Sequence, residues 1–173
     1  NSSNQALFIE TGNLPKLNNV LNEPLNLSEE FFWNEQRIIN INTTSDIVSL
    51  LVDPDNSATY QHQLALLDAN ILVTVLRLVF FQNIPKNVRP VALLTAANII
   101  QNNEYAQNEF GKIDVPYLDP TLSSNSDADK QKLVPVINLL LNWTFYANSV
   151  HTFNIRVAST ELLKAYFSGN LLL

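Results

Sequence analysis

Apolar residues recur along this chain at the three-and-four spacing of a helix face, not at the alternation of a half-buried strand. In 86–101 the stripe is Ala92, Thr95, Ala96 and Ile99, and in 152–168 it is Ser159, Leu162, Leu163 and Tyr166. Small residues on such a stripe let helices approach closely. The strongest apolar run, 71–81, carries Arg77 and falls short of the roughly 20 residues that span a membrane. It predicts a buried helix.

The pattern also repeats, which for a helical chain points to an array. Residues 5–14 recur at 63–72 and, more weakly, at 107–111, and each leading Gln (Gln5, Gln63, Gln107) stands four residues after a good cap, namely Asn1, Thr59 and Asn103. Residues 88–92 recur at 155–159. The implied unit is a short, a medium and a long helix. Short helices are predicted at 2–11, 59–69 and 104–110, medium ones at 14–21, 71–82 and 131–147, and long ones at 29–52, 86–101 and 152–168. Pro15, Pro85 and Pro90 lie in or just before first turns, where the missing N–H is harmless, and Pro54 sits in a turn with Asp53, Asp55 and Asn56. Two stretches break the period and predict surface loops. One is 22–28, with Pro24. The other is the polar, acidic 112–130, long enough to be functional or disordered.

The expected fold is therefore all-α, an α-solenoid of about three units (1–56, 57–102 and 103–170) forming a single repeat region over 1–173. Repeat lengths of about 44, with one longer unit, suit the roughly 40–47 residues of armadillo and HEAT repeats.

Composition narrows the function. With 46% apolar residues, 173 residues are enough for a sizeable core. Three glycines leave almost nothing from which to build a phosphate-cradling loop. The net charge of −6, with Lys and Arg scattered singly, speaks against nucleic acid as a partner. No cysteine means no disulfide and no thiolate chemistry, and nothing argues for secretion, so a cytoplasmic setting is expected. Asn1 at the start, without a signal pattern, and the abrupt close at Leu171, Leu172 and Leu173 suggest a piece of a longer protein.

Catalytic constellations are missing from the sequence. His62 and His151 have no second ligand at metal spacing and are expected to be solvent-facing or capping residues. The run Asp53-Pro54-Asp55-Asn56-Ser57 begins like a calcium loop, but Ala58 stands in place of the required Gly and Leu64 in place of the final Glu. Asp127 and Asp129 read as a solvated charge pair, and Glu29 and Glu30 as acids complementing a helix N-terminus. No serine lies in a nucleophile elbow, and the carboxylates are too dispersed to pair as acid and base. Trp33 and Trp143 fit core positions. Neither an enzyme nor a cofactor or metal site is expected.

Two resemblances sharpen this picture. The segment 92–100 resembles the third helix of an armadillo repeat, and 67–72 its first-to-second-helix junction, which implies a right-handed superhelix of three-helix repeats. Asn98 falls where importins and catenins carry a peptide-gripping Asn, whereas the next copy has Ala165 and no Trp partner precedes either. An adaptor binding extended peptide cargo is thus the alternative reading. A wider match runs through Leu51-Val52-Asp53-Pro54-Asp55-Asn56, Ala65-Leu66-Leu67-Asp68-Ala69-Asn70-Ile71-Leu72, Asn103-Glu104-Tyr105-Ala106-Gln107-Asn108-Glu109-Phe110 and 157–170. In order and spacing these resemble the globular head of the general vesicular transport factor family, and the Asn-rich composition suggests a fungal member. That resemblance implies an armadillo-like head with a coiled-coil tail in a homodimeric parent. It also implies vesicle tethering between endoplasmic reticulum and Golgi, with a Rab-family GTPase, SNAREs and other Golgi tethers as partners. The implied location is peripheral, on Golgi and vesicle membranes. Partner contact is expected on the exposed side of the long helices, at Arg89, Asn98, Glu161 and Lys164, with loop 112–130 as a second element.

Overall fold

The computed structural model describes residues 2–27, 32–81, 84–117, 132–146 and 153–168, leaving aside the side chains of Leu27 and of 143–146. Three successive helix triplets account for most of it. The first is α1 (Ser2–Glu10), α2 (Leu14–Leu27) and α3 (Glu35–Leu51), and the second is α4 (Thr59–Asp68), α5 (Ile71–Phe80) and α6 (Val88–Ile100). The third is α7 (Glu104–Gly111), α8 (Val136–Tyr146) and α9 (Phe153–Phe167). Helices of equal rank stack on one another: α1 on α4 on α7, α2 on α5, and α3 on α6 on α9. The fold is the all-α solenoid expected from the sequence.

The repeat governs local geometry as well as helix order. Gly12 and Asn70 occupy matching places in the aligned segments, and both are left-handed, at φ 71° and 58°. Each turns the chain from a first helix into a second, a conformation open to Gly and tolerated by Asn. Helix α5 is buried along nearly its whole length, with Arg77 left exposed. Within α6, Ala92 and Ala96 are fully buried. Their small side chains let this helix sit close between α3 and α9, both of which it packs against.

Four sequence expectations need correction. Residues 22–27, expected as most of a 22–28 loop, are helical, because α2 runs on to Leu27 with Pro24 inside it, and Ser28 lies outside the described residues. Leu14, Leu17, Leu21 and Pro24 form one buried stripe, and burying these apolar groups outweighs the roughly 3 kcal/mol that an interior proline costs. Helix α3 starts at Glu35 rather than near 29, since Asn34 caps it by accepting the Arg37 N–H at 2.9 Å. Glu29 and Glu30 lie outside the described residues. Thr59 is not a cap. Its hydroxyl donates to the Asp53 carbonyl, while Asn103 does cap α7, accepting from the Ala106 N–H at 3.0 Å.

The last correction concerns 112–130, which begins as a strand. β1 (Asp114–Tyr117) pairs antiparallel with β2 (Lys132–Pro135) in the register Asp114↔Pro135 to Tyr117↔Lys132. Val115 is fully buried, β1 packs against α5, and the Val136 N–H donates to the Ile113 carbonyl at 3.0 Å. The medium helix expected at 131–147 therefore gives up its first turn to β2. Residues 118–130, with Asp127 and Asp129, lie outside the described residues.

Candidate interaction surface

The last four carbonyls of any helix lack partners within the helix. In each unit the repeated glutamine supplies one from outside. Gln5 donates its side-chain amide to the Leu50 carbonyl at 2.6 Å. Gln63 donates to the carbonyls of Asn98 and Gln101 at 3.3 and 2.9 Å, and Gln107 to those of Ala165 and Ser168 at 2.7 and 2.8 Å. Only an amide nitrogen can face two carbonyls, so the orientation of Gln63 and Gln107 is fixed. The amide oxygens of Gln63 and Gln5 then accept from the chain beyond the third helix. Asn103 donates to Gln63 Oε1 at 2.9 Å, and Asn56 donates to Gln5 Oε1. Helix α4 is in this way bound to the end of its own third helix and to the start of the following unit, and α1 to the end of α3 and to the turn that leads into α4.

These bonds also set the register of the long helices, since the glutamines reach equivalent carbonyls. Leu50, Asn98 and Ala165 are matched positions on α3, α6 and α9. One turn earlier stand Asp46, Leu94 and Glu161, and three residues later Asp53, Gln101 and Ser168. Side chains along these rows are exposed or half-buried, apart from Ala165, and form a continuous face across the three helices. Leu50 is 62% exposed and Leu94 42%, while Phe153 and Val157 extend the apolar part of the face along α9. Asn98 is the one amide at its rung. A peptide-gripping ladder would need one at each.

Of the four residues singled out from the sequence, three lie on or beside this face. Asn98 is half-buried on α6, and Glu161 pairs with Lys164 at 2.7 Å on α9. That pair is largely exposed and contributes at most about 1 kcal/mol. Arg89 does a different job. Its Nε donates to the Val79 carbonyl at 2.9 Å and its Nη2 to that of Phe81 at 3.4 Å, so it caps the end of α5. Burial pushes its guanidinium below the usual value, although an arginine stays charged at neutral pH.

His62 is buried rather than solvent-facing. Its Nδ1–H donates to the carbonyl of Leu51, the last residue of α3, at 2.8 Å, which is the capping half of the expectation. Trp33 is half-buried against the core. His151 and the side chain of Trp143 lie outside the described residues. At 53–57 the chain makes a turn, with the Asp55 N–H donating to Asp53 Oδ1 at 3.0 Å and the Asn56 N–H to the Asp53 carbonyl. Sequence reasoning missed Asp46, Leu50, Asp53 and Leu94. The signal was present in the repeated glutamines, whose third-helix partners align these positions.

Comparison with known proteins places this arrangement. A family model described as Uso1/p115-like vesicle tethering protein, head region, matches residues 103–172. The chain is 63% identical over 172 residues to the intracellular protein transport protein USO1 of Saccharomyces cerevisiae, covering 98% of this chain and 10% of that protein. Among solved structures it matches a crystal structure of Uso1-2 with a TM-score of 0.89 and 63% identity, over 98% of this chain and 25% of that one. A crystal structure of Uso1-1 matches with a TM-score of 0.86 and 62% identity, over 97% and 25%. The chain thus spans a tenth of the length of the curated relative.

Proposed function

Because the chain belongs to the Uso1/p115-like vesicle tethering family, within the head region, we propose that it forms part of the protein-binding surface of a vesicle tether. This family tethers vesicles and is not an enzyme family. The tether acts between endoplasmic reticulum and Golgi, peripheral to the membrane on its cytoplasmic side, with a Rab-family GTPase, SNAREs and other tethers as partners. Its parent is a homodimer.

The observation that carries this reading is the continuous face of α3, α6 and α9. Stacked units hold such a face nearly rigid, and interlocking the second and third through buried Gln63 and Asn103 stiffens it further. Partner contact is assigned to Asn98, Glu161 and Lys164, with Arg89 holding the start of α6 against the end of α5. Asn98→Ala, Glu161→Lys and Lys164→Glu combined is expected to weaken binding of a GTP-loaded Rab GTPase to the head by about tenfold while the unfolding midpoint stays in place. Unchanged binding in titration calorimetry would put the contact elsewhere.

A further inference from the structure

We propose that the groove between the C-terminal ends of α3 and α6 docks a protein segment that presents Lys or Arg beside an apolar side chain. The groove encloses about 440 Å³ and is lined by Asp46, Leu50, Asp53, Pro54, Asn98 and Gln101, among others. A second depression of about 200 Å³ shares Pro54, Asn98 and Gln101 with it and continues toward Tyr60, which is half exposed. The wall of the larger groove is mostly apolar, with Leu50 projecting at 62% exposure.

Among the described residues, both ionisable side chains lining the larger groove are acids, and no basic side chain lines either depression. Asp53 has one carboxylate oxygen engaged by the Asp55 N–H, and Asp46 is exposed. The ends of α3 and α6 add the partial negative charge of helix C-termini, reduced where Gln5, Gln63 and His62 already bond the carbonyls. Among the described residues the Asn98 side-chain amide has no hydrogen-bond partner. It is free to bond the backbone of an incoming segment.

Charge decides the occupant. An anionic membrane or a nucleic acid is repelled by Asp46 and Asp53. A second copy of the chain brings a net charge of −6 to an acidic groove. A cationic segment is attracted, and an apolar side chain beside the cation covers Leu50. This deepens the reading above, resting on the same long-helix face, but it concerns a site closer to the N-terminus and has its own readout.

The probe is a fluorescein-labelled hexapeptide alternating leucine and arginine, followed by anisotropy with the chain, beside a counterpart with glutamate in place of arginine. Saturable binding of the arginine peptide alone is expected, with backbone amide shifts concentrated at Leu50, Asp53, Asn98 and Gln101. Asp46→Lys with Asp53→Lys weakens it by about tenfold, whereas Glu10→Lys with Asp68→Lys, an equal change in net charge away from the groove, changes it by less than about twofold. Equal weakening by the two double variants overturns the proposal, because attraction is then to the whole molecule. So does the lack of saturable binding, or equal binding of the glutamate peptide. Self-association in sedimentation that Leu50→Asp dissolves assigns the groove to a second copy and also overturns it. A Rab GTPase that fails to bind the peptide-free chain, while the arginine peptide binds it saturably, counts against the earlier reading and leaves this one standing.

Discussion

Gln63 is 2% exposed and takes part in three hydrogen bonds, donating to two carbonyls at the end of α6 and accepting from buried Asn103. Gln63→Ala strands the buried Asn103 amide away from water and takes the donor from two half-buried carbonyls, so it is expected to lower stability by about 2–3 kcal/mol, read as a lower urea midpoint. Gln5 makes the same motion in a half-exposed setting, where water replaces the lost bonds, and Gln5→Ala should cost less than about 1 kcal/mol. Gln63→Glu separates the two jobs of the amide. A carboxylate facing carbonyls is disfavoured, so the introduced acid is expected to titrate above its unfolded value. The variant is then closest to the parent in stability at pH values below the unfolded pKa, and the deficit grows as pH rises through the folded pKa. Urea midpoints at pH 5 and pH 8 check this. A deficit that shrinks toward pH 8 would sink the assignment of the amide nitrogen to the α6 carbonyls.

At the scale of elements, the helices were legible because each buries a stripe at helical spacing, and their junctions because Gly12 and Asn70 recur in the repeat. What misled was proline taken by itself. Pro24 signals a break locally, yet it falls on the buried stripe of α2 with Leu17 and Leu21, and tertiary burial overrides the local preference. The hairpin was hidden for the opposite reason. β1 contains Pro116 and β2 contains Pro135, residues depleted in strands, and the partners are separated by a polar stretch that offers no short turn. The face of the candidate site was half legible. Asn98 stood out by resemblance, whereas Asp46 and Leu50 acquire meaning only once the glutamine bonds align the three long helices. The hairpin hangs on one side chain. Val115→Ala removes two fully buried methyl groups and is expected to cost about 1.5–3 kcal/mol, with loss of amide protection at Val115 and Val134 ahead of the helices. Unchanged protection there would mean that β1 is held by its ladder bonds and not by docking on α5.

Across the whole molecule, stability should grade with the number of neighbours a unit has, since each unit buries its faces mainly against those beside it. Helix α1 has no buried residue and touches the array mainly through α4, Gln5 and half-buried Phe8 and Ile9. Helix α6 buries eight of its thirteen residues between α3, α5 and α9. Amide hydrogen exchange followed by mass spectrometry is therefore expected to show α1 exchanging through local opening, with a weak dependence on urea. Amides of α5 and α6 should exchange only through opening of the larger array, with a steep dependence. The docking face lies on the stable side of that gradient, because α3 and α6 form its groove and Gln63 ties the end of α6 to the unit that follows. Binding there requires little ordering of the helices themselves, so a partner should slow exchange at the ends of α3 and α6 while leaving α1 as it was. Protection spreading through α1 on binding would mean that the array tightens as a whole, and that the face is completed by its partner instead of standing preformed.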